Sequence, residues 1–317
     1  MSSLFNHLGS PNTMSTTTPP RPTTRPAAPA STRPAPAVTR PGAGSTAPTP
    51  AAVQIGIRQP KAIVPRVIMY AGEKFGKTSL AAYAPDPIVL MVRDSGYDTL
   101  LSAGQVPAVR AAEVNEWPQL LDAVRSVSDN PQGAKTLVID GITGAERACH
   151  EHVCNTQFEG DWGERGFLSF HKGYTVSVTE WLKLLAALDR VQAAGITVIM
   201  LGHARMKAVK NPLGADYDRF EPDCHEKTWS GCAKWADAIL FGKFHTIVDV
   251  TKRDAAKKIA EQKGKAIGGS QRVIFTQPHD AWVAGNRYGM DSEIWIDCGP
   301  EQMWDVVMSQ IRKPAAE

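Results

Sequence analysis

Short apolar runs alternate with amphipathic stretches along most of the chain, and this alternation predicts the fold class. The apolar runs, each four or five residues long, lie at 67–70, 88–92, 136–139, 197–201 and 238–241. Continuous apolar runs of this length are typical of strands buried in a parallel sheet. Amphipathic spacing that predicts helices occupies 78–83, 117–127, 144–154 and 176–194. Strands that alternate with helices predict an α/β fold, with a mostly parallel sheet flanked by helices.

The two ends of the chain depart from this alternation. Residues 1–60 hold 12 of the 23 prolines and no Asp or Glu, and such a segment buries too little apolar surface to offset its ordering entropy. We therefore predict a disordered Pro-rich N-terminal tail over 1–60 and one domain over 61–317. Within that domain, strands at 245–250 and 272–276 around a charged segment predict a β-rich extension over 243–300.

Charge and cysteine content narrow the functional classes. The whole chain carries +3, but from residue 67 onward 28 basic residues face 32 acidic ones, so the positive balance lies in the N-terminal tail. An arginine-bearing arm can hold nucleic acid through phosphate contacts, and a plain soluble spacer is the alternative. Five scattered cysteines, no run of 18 apolar residues and no leader-like start predict a cytoplasmic protein with reduced thiols and no membrane segment.

The segment 66–80 follows the strand–loop–helix pattern of a P-loop. Its apolar run leads into Gly72, Gly76, Lys77 and Thr78, although Ala71 stands where the full pattern has its first glycine. In such a loop the main-chain N–H groups wrap a phosphate, the lysine neutralises it and the following hydroxyl binds Mg²⁺. We predict that ATP is held by Ala71, Gly72, Glu73, Lys74, Phe75, Gly76, Lys77, Thr78 and Ser79. An ordinary turn before a helix is the alternative.

Three further strands end in polar groups that suit a nucleotide site. Asp140 follows the run 136–139 and is the predicted second Mg²⁺ ligand beside Thr78. His203 follows 197–201 and is the predicted γ-phosphate sensor, because ligands in open α/β sheets bind at the carboxyl ends of strands. Asp94, after 88–92, is the candidate base for the attacking water, with Glu73 as the fallback. Each of these groups has the alternative of an ordinary polar residue at a strand end.

The Cys and His residues are not predicted to form a zinc site. Cys149, His150, His152 and Cys154 lie on a predicted helix, where the two cysteines point to different sides. The chain also contains no C-x-x-C pair of the kind that zinc sites use.

Several motifs together resemble the phage RecA-like, AAA-type ATPases of the Sak single-strand-annealing group. They cover about residues 64 to 295, and they are the P-loop, LVID ending at Asp140, the Gly173-Tyr174 segment, MLGH ending at His203, DYDRFEP at 216–222, WADAILFG at 235–242 and NRYG at 286–289. The resemblance implies a RecA-like P-loop NTPase core that binds ATP and Mg²⁺. It also implies single-stranded DNA binding, a role in phage recombination, and self-association in a ring or filament with ATP at subunit interfaces. A single-strand-binding protein is a further candidate partner.

The same resemblance assigns roles outside the nucleotide loop. The segment after the sensor strand, 204–227, is expected to face DNA as a loop. Its candidate contacts are Arg205, Lys207, Lys210, Tyr217, Arg219 and Phe220, whose aromatic rings could stack bases. The alternative is a structured crossover whose aromatic residues pack inward. The charged segment 252–272 is a second candidate patch, with a solvated helix face as its alternative. Arg287 is a candidate finger reaching a neighbour's ATP, or else the partner of a carboxylate such as Asp291 or Glu293.

Two other functions remain open on sequence alone. A P-loop kinase for a small substrate would need a basic lid over the phosphates, for which 252–265 is the available segment. A nucleotide-gated scaffold would bind ATP without useful turnover and recruit partners through the Pro-rich tail.

Overall fold

The computed structural model describes residues 64–249 and 265–311. The chain divides into two units, Met1–Arg58 and Gln59–Glu317, and every element below belongs to the second. The predicted tail 1–60, most of the charged segment 252–272 and all of the candidate kinase lid except residue 265 lie outside the described residues. The predicted domain boundaries therefore stay a prediction.

The described elements alternate as the hydrophobic pattern predicts. In chain order the strands are β1 Arg66–Ala71, β2 Pro87–Val92, β3 Arg110–Val114, β4 Thr136–Asp140, β5 Thr197–Val209, β6 Tyr217–Pro222, β7 Ala238–Asp249, β8 Lys265–Phe275, β9 Gly285–Asn286 and β10 Glu293–Ile296. The helices are α1 Lys77–Ala82, α2 Gly96–Ser102, α3 Trp117–Asp129, α4 Ile142–Gln157, α5 Lys172–Ala193, α6 Glu226–Trp235 and α7 Pro300–Ile311. A short 3₁₀ turn, Ser169–His171, precedes α5.

The strands form one mixed sheet in the order β10-β8-β7-β1-β5-β4-β2-β3. The six strands from β7 to β3 in that order are parallel, and β8 and β10 continue the sheet by antiparallel pairing. β6 pairs antiparallel with the second half of β5, and β9 with the start of β7. The mostly parallel α/β sheet predicted from the sequence is confirmed.

Two apolar layers cover the sheet, and strand alternation assigns residues to each. In β1, Ile68 and Tyr70 face the layer built with α3, α4, α5 and α6, whereas Val67, Met69 and Ala71 face α1, α2 and α7. All five side chains are buried, as expected for a strand covered on both faces. The loop that follows β1 therefore starts from a strand that is packed into the core on both faces.

Strand register places the ends of the parallel strands side by side. Ala71, the last residue of β1, pairs with His203 of β5 and with Gly242 of β7. On the other side of β5, Asp140 at the end of β4 pairs with Leu201 of β5 and with Met91 of β2. The polar residues that follow these strands therefore meet at one edge of the sheet, which we call the P-loop edge.

The predicted DNA-facing loop 204–227 has regular structure instead. β5 continues past His203 to Val209 and turns back as β6, so the segment forms an antiparallel hairpin, and α6 begins at Glu226. The structure therefore has the structured alternative rather than a loop, because main-chain pairing between β5 and β6 organises the segment. This pairing leaves no apolar pattern in the charged β6 sequence.

Candidate functional site

The loop between β1 and α1 contains two residues with left-handed backbone conformations. Gly76, immediately before α1, adopts φ 105°, a conformation that residues with a Cβ rarely reach. Lys74 also has positive φ, and Gly72, Glu73 and Lys74 are exposed. The loop is thus open to solvent at the P-loop edge, and its binding of phosphate through main-chain N–H groups stays a prediction.

Phe75 fixes the loop to the sheet. Its side chain is fully buried in the layer that contains α1 and α7. A Cβ placed on Gly242 of β7 would lie 2.7 Å from the Phe75 ring, so glycine is required there for the ring to fit. The Phe75 ring also packs against Phe244, with 5.8 Å between centroids. The Phe75 side chain therefore anchors the predicted cofactor loop to the sheet, and only the main chain of this residue is left as a candidate phosphate contact.

Lys77 is buried and turned back onto its own loop. Its Nζ donates hydrogen bonds to the carbonyl oxygens of Ala71, at 3.2 Å, and Gly72, at 3.0 Å. Burial lowers the pKa of the ammonium, and the nearby carboxylates of Asp140 and Asp94 oppose that shift. Two main-chain carbonyls are weaker partners for an ammonium than an anion is. The geometry leaves Lys77 ready to exchange them for a phosphate.

Thr78 and Asp140 form the predicted metal pair. The Thr78 hydroxyl donates a 2.8 Å hydrogen bond to Oδ2 of Asp140, which is 4% exposed. Burial raises the pKa of Asp140 to about 6; the Thr78 hydrogen bond opposes this shift, and the charge of Asp94 adds to it. A buried carboxylate beside a hydroxyl offers the oxygen ligands that Mg²⁺ prefers when phosphate oxygens and water complete its shell. These residues fit that metal.

Asp94 joins the same cluster from the end of β2. Its Oδ1 accepts a 2.7 Å hydrogen bond from the Gly96 main chain, which fixes the carboxylate at the start of α2. A Cβ built on Gly96 would lie 3.0 Å from that oxygen and 3.8 Å from Oγ1 of Thr78, so both side chains lie beside Gly96. Gly144 of α4 makes this arrangement possible, because a Cβ there would meet the Val92 carbonyl at 2.0 Å.

His203 lies at the end of the parallel half of β5, next to the last residue of β1. Partial burial lowers the pKa of its imidazole, and the charge of Lys77 lowers it further, while the carboxylates of Asp94 and Glu73 act in the opposite direction. The structure thus brings Lys77, Thr78, Asp94, Asp140 and His203 together at the P-loop edge. Glu73, the fallback base, is exposed within the loop.

The cations predicted to contact DNA lie on the β5–β6 hairpin and are mostly ion-paired. Arg205 contacts Asp223 at 3.3 Å and donates a 2.6 Å hydrogen bond to the Cys224 carbonyl. Lys207 lies 3.8 Å from Glu221, and Arg219 is hydrogen-bonded to the same glutamate. Acidic neighbours therefore compete with any phosphate ligand, which means that DNA binding at this hairpin requires some of these pairs to open.

The other hairpin candidates occupy different environments. Lys210 is exposed near the turn. Tyr217 is half-buried and lines a groove with Leu213 and His279. Phe220 packs on Phe241, with 5.2 Å between ring centroids, so the inward-packing alternative describes this ring. The assignment of these residues to DNA stays a prediction.

Arg287 lies at the opposite edge of the sheet, near the amino ends of β1 and β7. Its guanidinium donates a 2.8 Å hydrogen bond to Asp237, rather than to the alternatives Asp291 or Glu293, and it also contacts the Lys234 carbonyl. The same carboxylate of Asp237 binds Arg66. Within this chain Arg287 is a structural partner of Asp237, and its proposed reach into a neighbouring subunit stays a prediction.

The sequence analysis missed two residues beside the P-loop. A Cβ built on Gly76 would lie 3.3 Å from Cε of Met303 and 4.0 Å from Nε of Arg272. Arg272 was predicted as the start of a strand and as the last residue of the charged segment 252–272, not as a neighbour of the P-loop, and the helix containing Met303 was not predicted. No sequence spacing connects residues some 200 positions away to the P-loop, so only the packing of β8 and α7 reveals them.

Comparisons with known proteins define the class. The family model described as AAA domain matches residues 64–288, which is more than two thirds of the chain. The chain belongs to this AAA domain family, and the predicted P-loop NTPase class is confirmed. It matches no curated protein. Among the residues that the structure describes, no helix combines the length and apolar character needed to cross a membrane.

Two of the solved structures that resemble the chain share little sequence identity with it. One is the KaiC-like protein PH0186 from the hyperthermophilic archaeon Pyrococcus horikoshii OT3, with 14% identity, a TM-score of 0.40, and coverage of 75% of this chain and 87% of that protein. The other is an ATPase from the type III secretion system of pathogenic bacteria, with 14% identity and a TM-score of 0.35. The second match covers 56% of this chain and about half, 52%, of that protein.

Proposed function

We propose that this protein binds and hydrolyses Mg·ATP and couples the nucleotide cycle to single-stranded DNA binding, in support of strand annealing during phage recombination in the host cytoplasm. The observation that carries the proposal is the convergence of Lys77, Thr78, Asp94, Asp140 and His203 at one edge of the sheet. These groups are a cation, two carboxylates, a hydroxyl and an imidazole, which together suit phosphoryl transfer.

The residues divide the work by position. Lys77 binds phosphate oxygens once its Nζ leaves the carbonyls of Ala71 and Gly72. Thr78 and Asp140 would hold Mg²⁺, which neutralises charge on the transferring phosphoryl group. Asp94 orients the attacking water and takes its proton as the oxygen bonds to the γ-phosphorus and the bond to the ADP leaving group breaks. Asp94 is suited to this because the Gly96 main chain fixes its carboxylate, and Thr78 also lies beside Gly96.

Continuity of one strand supports coupling to DNA. β5 carries His203 at the P-loop edge and then continues without interruption into the hairpin that bears Arg205, Lys207 and Lys210. A shift of His203 on γ-phosphate binding would therefore pass directly into the hairpin. Opening of the pairs with Glu221 and Asp223 would free the cations for DNA phosphates. Subunits in a ring or filament, with Arg287 directed at a neighbour's ATP, complete the proposal.

The test is ATP turnover by the full chain with and without single-stranded DNA, for wild type, Lys77→Ala and the surface control Lys183→Ala. We expect DNA to stimulate ATP turnover in wild type and in the control. Lys77→Ala should abolish ATP turnover with or without DNA. Lys183 is a matched control because it is an exposed lysine that pairs with Glu180 along α5. DNA binding that ignores both ATP and the Lys77 change would contradict the proposal.

Two further results would favour the alternative functions, a small-substrate kinase or a nucleotide-gated scaffold. Transfer of the phosphoryl group to a nucleoside or nucleotide, rather than to water, would identify a small-substrate kinase. Nucleotide binding without turnover, combined with loss of partner recruitment on deletion of residues 1–55, would identify a scaffold.

A further inference from the structure

The antiparallel extension of the sheet brings an arginine to the P-loop. Arg272 of β8 pairs in register with Phe244 of β7, and its guanidinium carbon lies 5.6 Å from the centroid of the Phe244 ring. Phe244 packs in turn on Phe75 of the P-loop. The Nε of Arg272 would lie 4.0 Å from a Cβ built on Gly76, so the cation lies directly against the loop residue that precedes Lys77.

At least one N–H donor of Arg272 has no acceptor among the described residues. Its Nε is buried and has no hydrogen-bond partner in the part of the chain that the structure describes. A guanidinium stays charged at every accessible pH and carries five N–H donors, so an unpaired buried Nε is unfavourable in the absence of a ligand. Arg66 and Arg287 differ, because each is bound to the carboxylate of Asp237. An arginine packed against a phosphate loop with a donor to spare is typical of an anion site.

We propose that Arg272 is a nucleotide-binding residue that contacts the α- and β-phosphates of ATP in the same subunit. The inference rests on the proposed nucleotide function and adds a second cation to it. The choice of phosphates follows from Gly76, because the main chain of a P-loop cradles the α- and β-phosphates while its lysine reaches the β- and γ-phosphates. Arg272 would then bind ATP and ADP alike, whereas His203 would respond only to ATP.

The experiment is titration calorimetry of Mg·ATP and Mg·ADP with the full chain, for wild type, Arg272→Gln, Arg272→Lys and the control Arg110→Gln. Arg110 is a matched control because it lies on β3, at the far end of the sheet, and its guanidinium binds the carbonyls of Gln132 and Asp86. We expect Arg272→Gln to weaken both nucleotides by about tenfold or more, in equal proportion, and Arg272→Lys to recover part of the loss. The control should bind as wild type does.

Thermal unfolding without nucleotide separates a ligand role from a structural one. Arg272→Gln removes an unpaired buried donor but also the contact with Phe244, so the midpoint should change little, while loss of a structural arginine would lower it clearly. The inference is overturned if wild type binds nucleotide and Arg272→Gln binds it equally well, if only ATP is affected, or if the affinity loss accompanies a clearly lower midpoint. If wild type binds neither nucleotide, the proposed function fails as well, which is a distinguishable result.

Discussion

Charged residues lie at both ends of the parallel strands, but only those at the amino ends form ion pairs with one another. At the amino ends, Arg66 reaches Asp189 at 2.8 Å and Asp237 at 3.0 Å, and Arg287 binds the same Asp237. The hydrogen bonds that the Arg66 side chain donates to Asp237 raise the pKa of Arg66. Burial alone would raise the pKa of Asp237, but its bonds with Arg66 outweigh burial and hold that pKa below its usual value.

At the P-loop edge the shifts run in the opposite direction. Burial lowers the pKa of Lys77 and raises that of Asp140 to about 6, so both charged forms are disfavoured where they stand. Groups that their own fold leaves under-satisfied are typical of sites that await a ligand, whereas mutual satisfaction is typical of structural networks. The comparison teaches that charge pairing, rather than the presence of charge, distinguishes the binding edge from the structural edge.

The largest expected effect comes from Asp140→Asn. Removal of the carboxylate charge should lower Mg²⁺-dependent ATP turnover by roughly 100-fold, an amount typical of losing one electrostatic group at a phosphoryl-transfer centre. The free energy of unfolding should stay the same or rise, because the substitution removes a buried charge. Turnover assays and chemical denaturation measure the two effects. A clear loss of stability with turnover intact would place Asp140 among the structural carboxylates.

The matching change at the other edge is Asp237→Asn. It removes the partner shared by Arg66 and Arg287, and because these groups are partly exposed we expect a loss of about 2 kcal/mol in the free energy of unfolding. The affinity for Mg·ATP should stay within about twofold of wild type, a difference below ~0.5 kcal/mol. Denaturation and calorimetry test this pair of outcomes. If Asp237→Asn weakens nucleotide binding as much as it weakens folding, the contrast between the edges fails.

A smaller effect is expected from Gly242→Ala, which tests the anchoring of the P-loop. The new methyl group would meet the Phe75 ring at 2.7 Å, and the ring would have to move. We expect a loss of about 1–2 kcal/mol in stability from overpacking, together with weaker Mg·ATP binding as the loop shifts. Gly285→Ala is a suitable control, because no atom lies within 4 Å of a Cβ at that position. Equal behaviour of the two variants would contradict the anchoring role of Phe75.

The smallest predicted effect is a dependence of stability on pH. The pKa of Asp140 is about 6 in the folded protein against 3.8 for the free side chain, so the folded state binds a proton first as the pH falls. The contribution of Asp140 to the free energy of unfolding should therefore rise as the pH falls from 7 to 4. Denaturation of wild type and Asp140→Asn across this range isolates the effect. A difference between them that does not vary with pH would contradict the raised pKa.

Much of the core was predictable because buried parallel strands leave continuous apolar runs in the sequence. β1, β2, β4, the first half of β5 and the start of β7 were all predicted within a residue or two. β3 was missed because four of its five residues are exposed, so its pairing with β2 leaves no apolar signal. β6 and α6 were missed for a similar reason, since both carry charged residues between their apolar positions.

The individual residues of the candidate site could be predicted from the sequence, but the distances between them could not. Strand-terminal Asp94, Asp140 and His203 could be identified because each follows an apolar run at the carboxyl end of a strand. Their mutual distances depend on strand register, which the sequence pattern does not encode. The contact of Arg272 with the P-loop depends on packing between elements distant in the chain. The pairing of Arg287 with Asp237 likewise arises only when β1, β7 and β9 are assembled.

The most direct test of the central claim is calorimetry of Mg·ATP with the full wild-type chain and with Lys77→Ala. The account predicts saturable one-site binding to wild type and a loss of affinity of roughly 10- to 100-fold or more in the variant, since a charge-assisted contact is worth about 1.5–3 kcal/mol. Absence of binding to wild type, or equal binding by the two proteins, would contradict the claim that the unsatisfied edge is a nucleotide site.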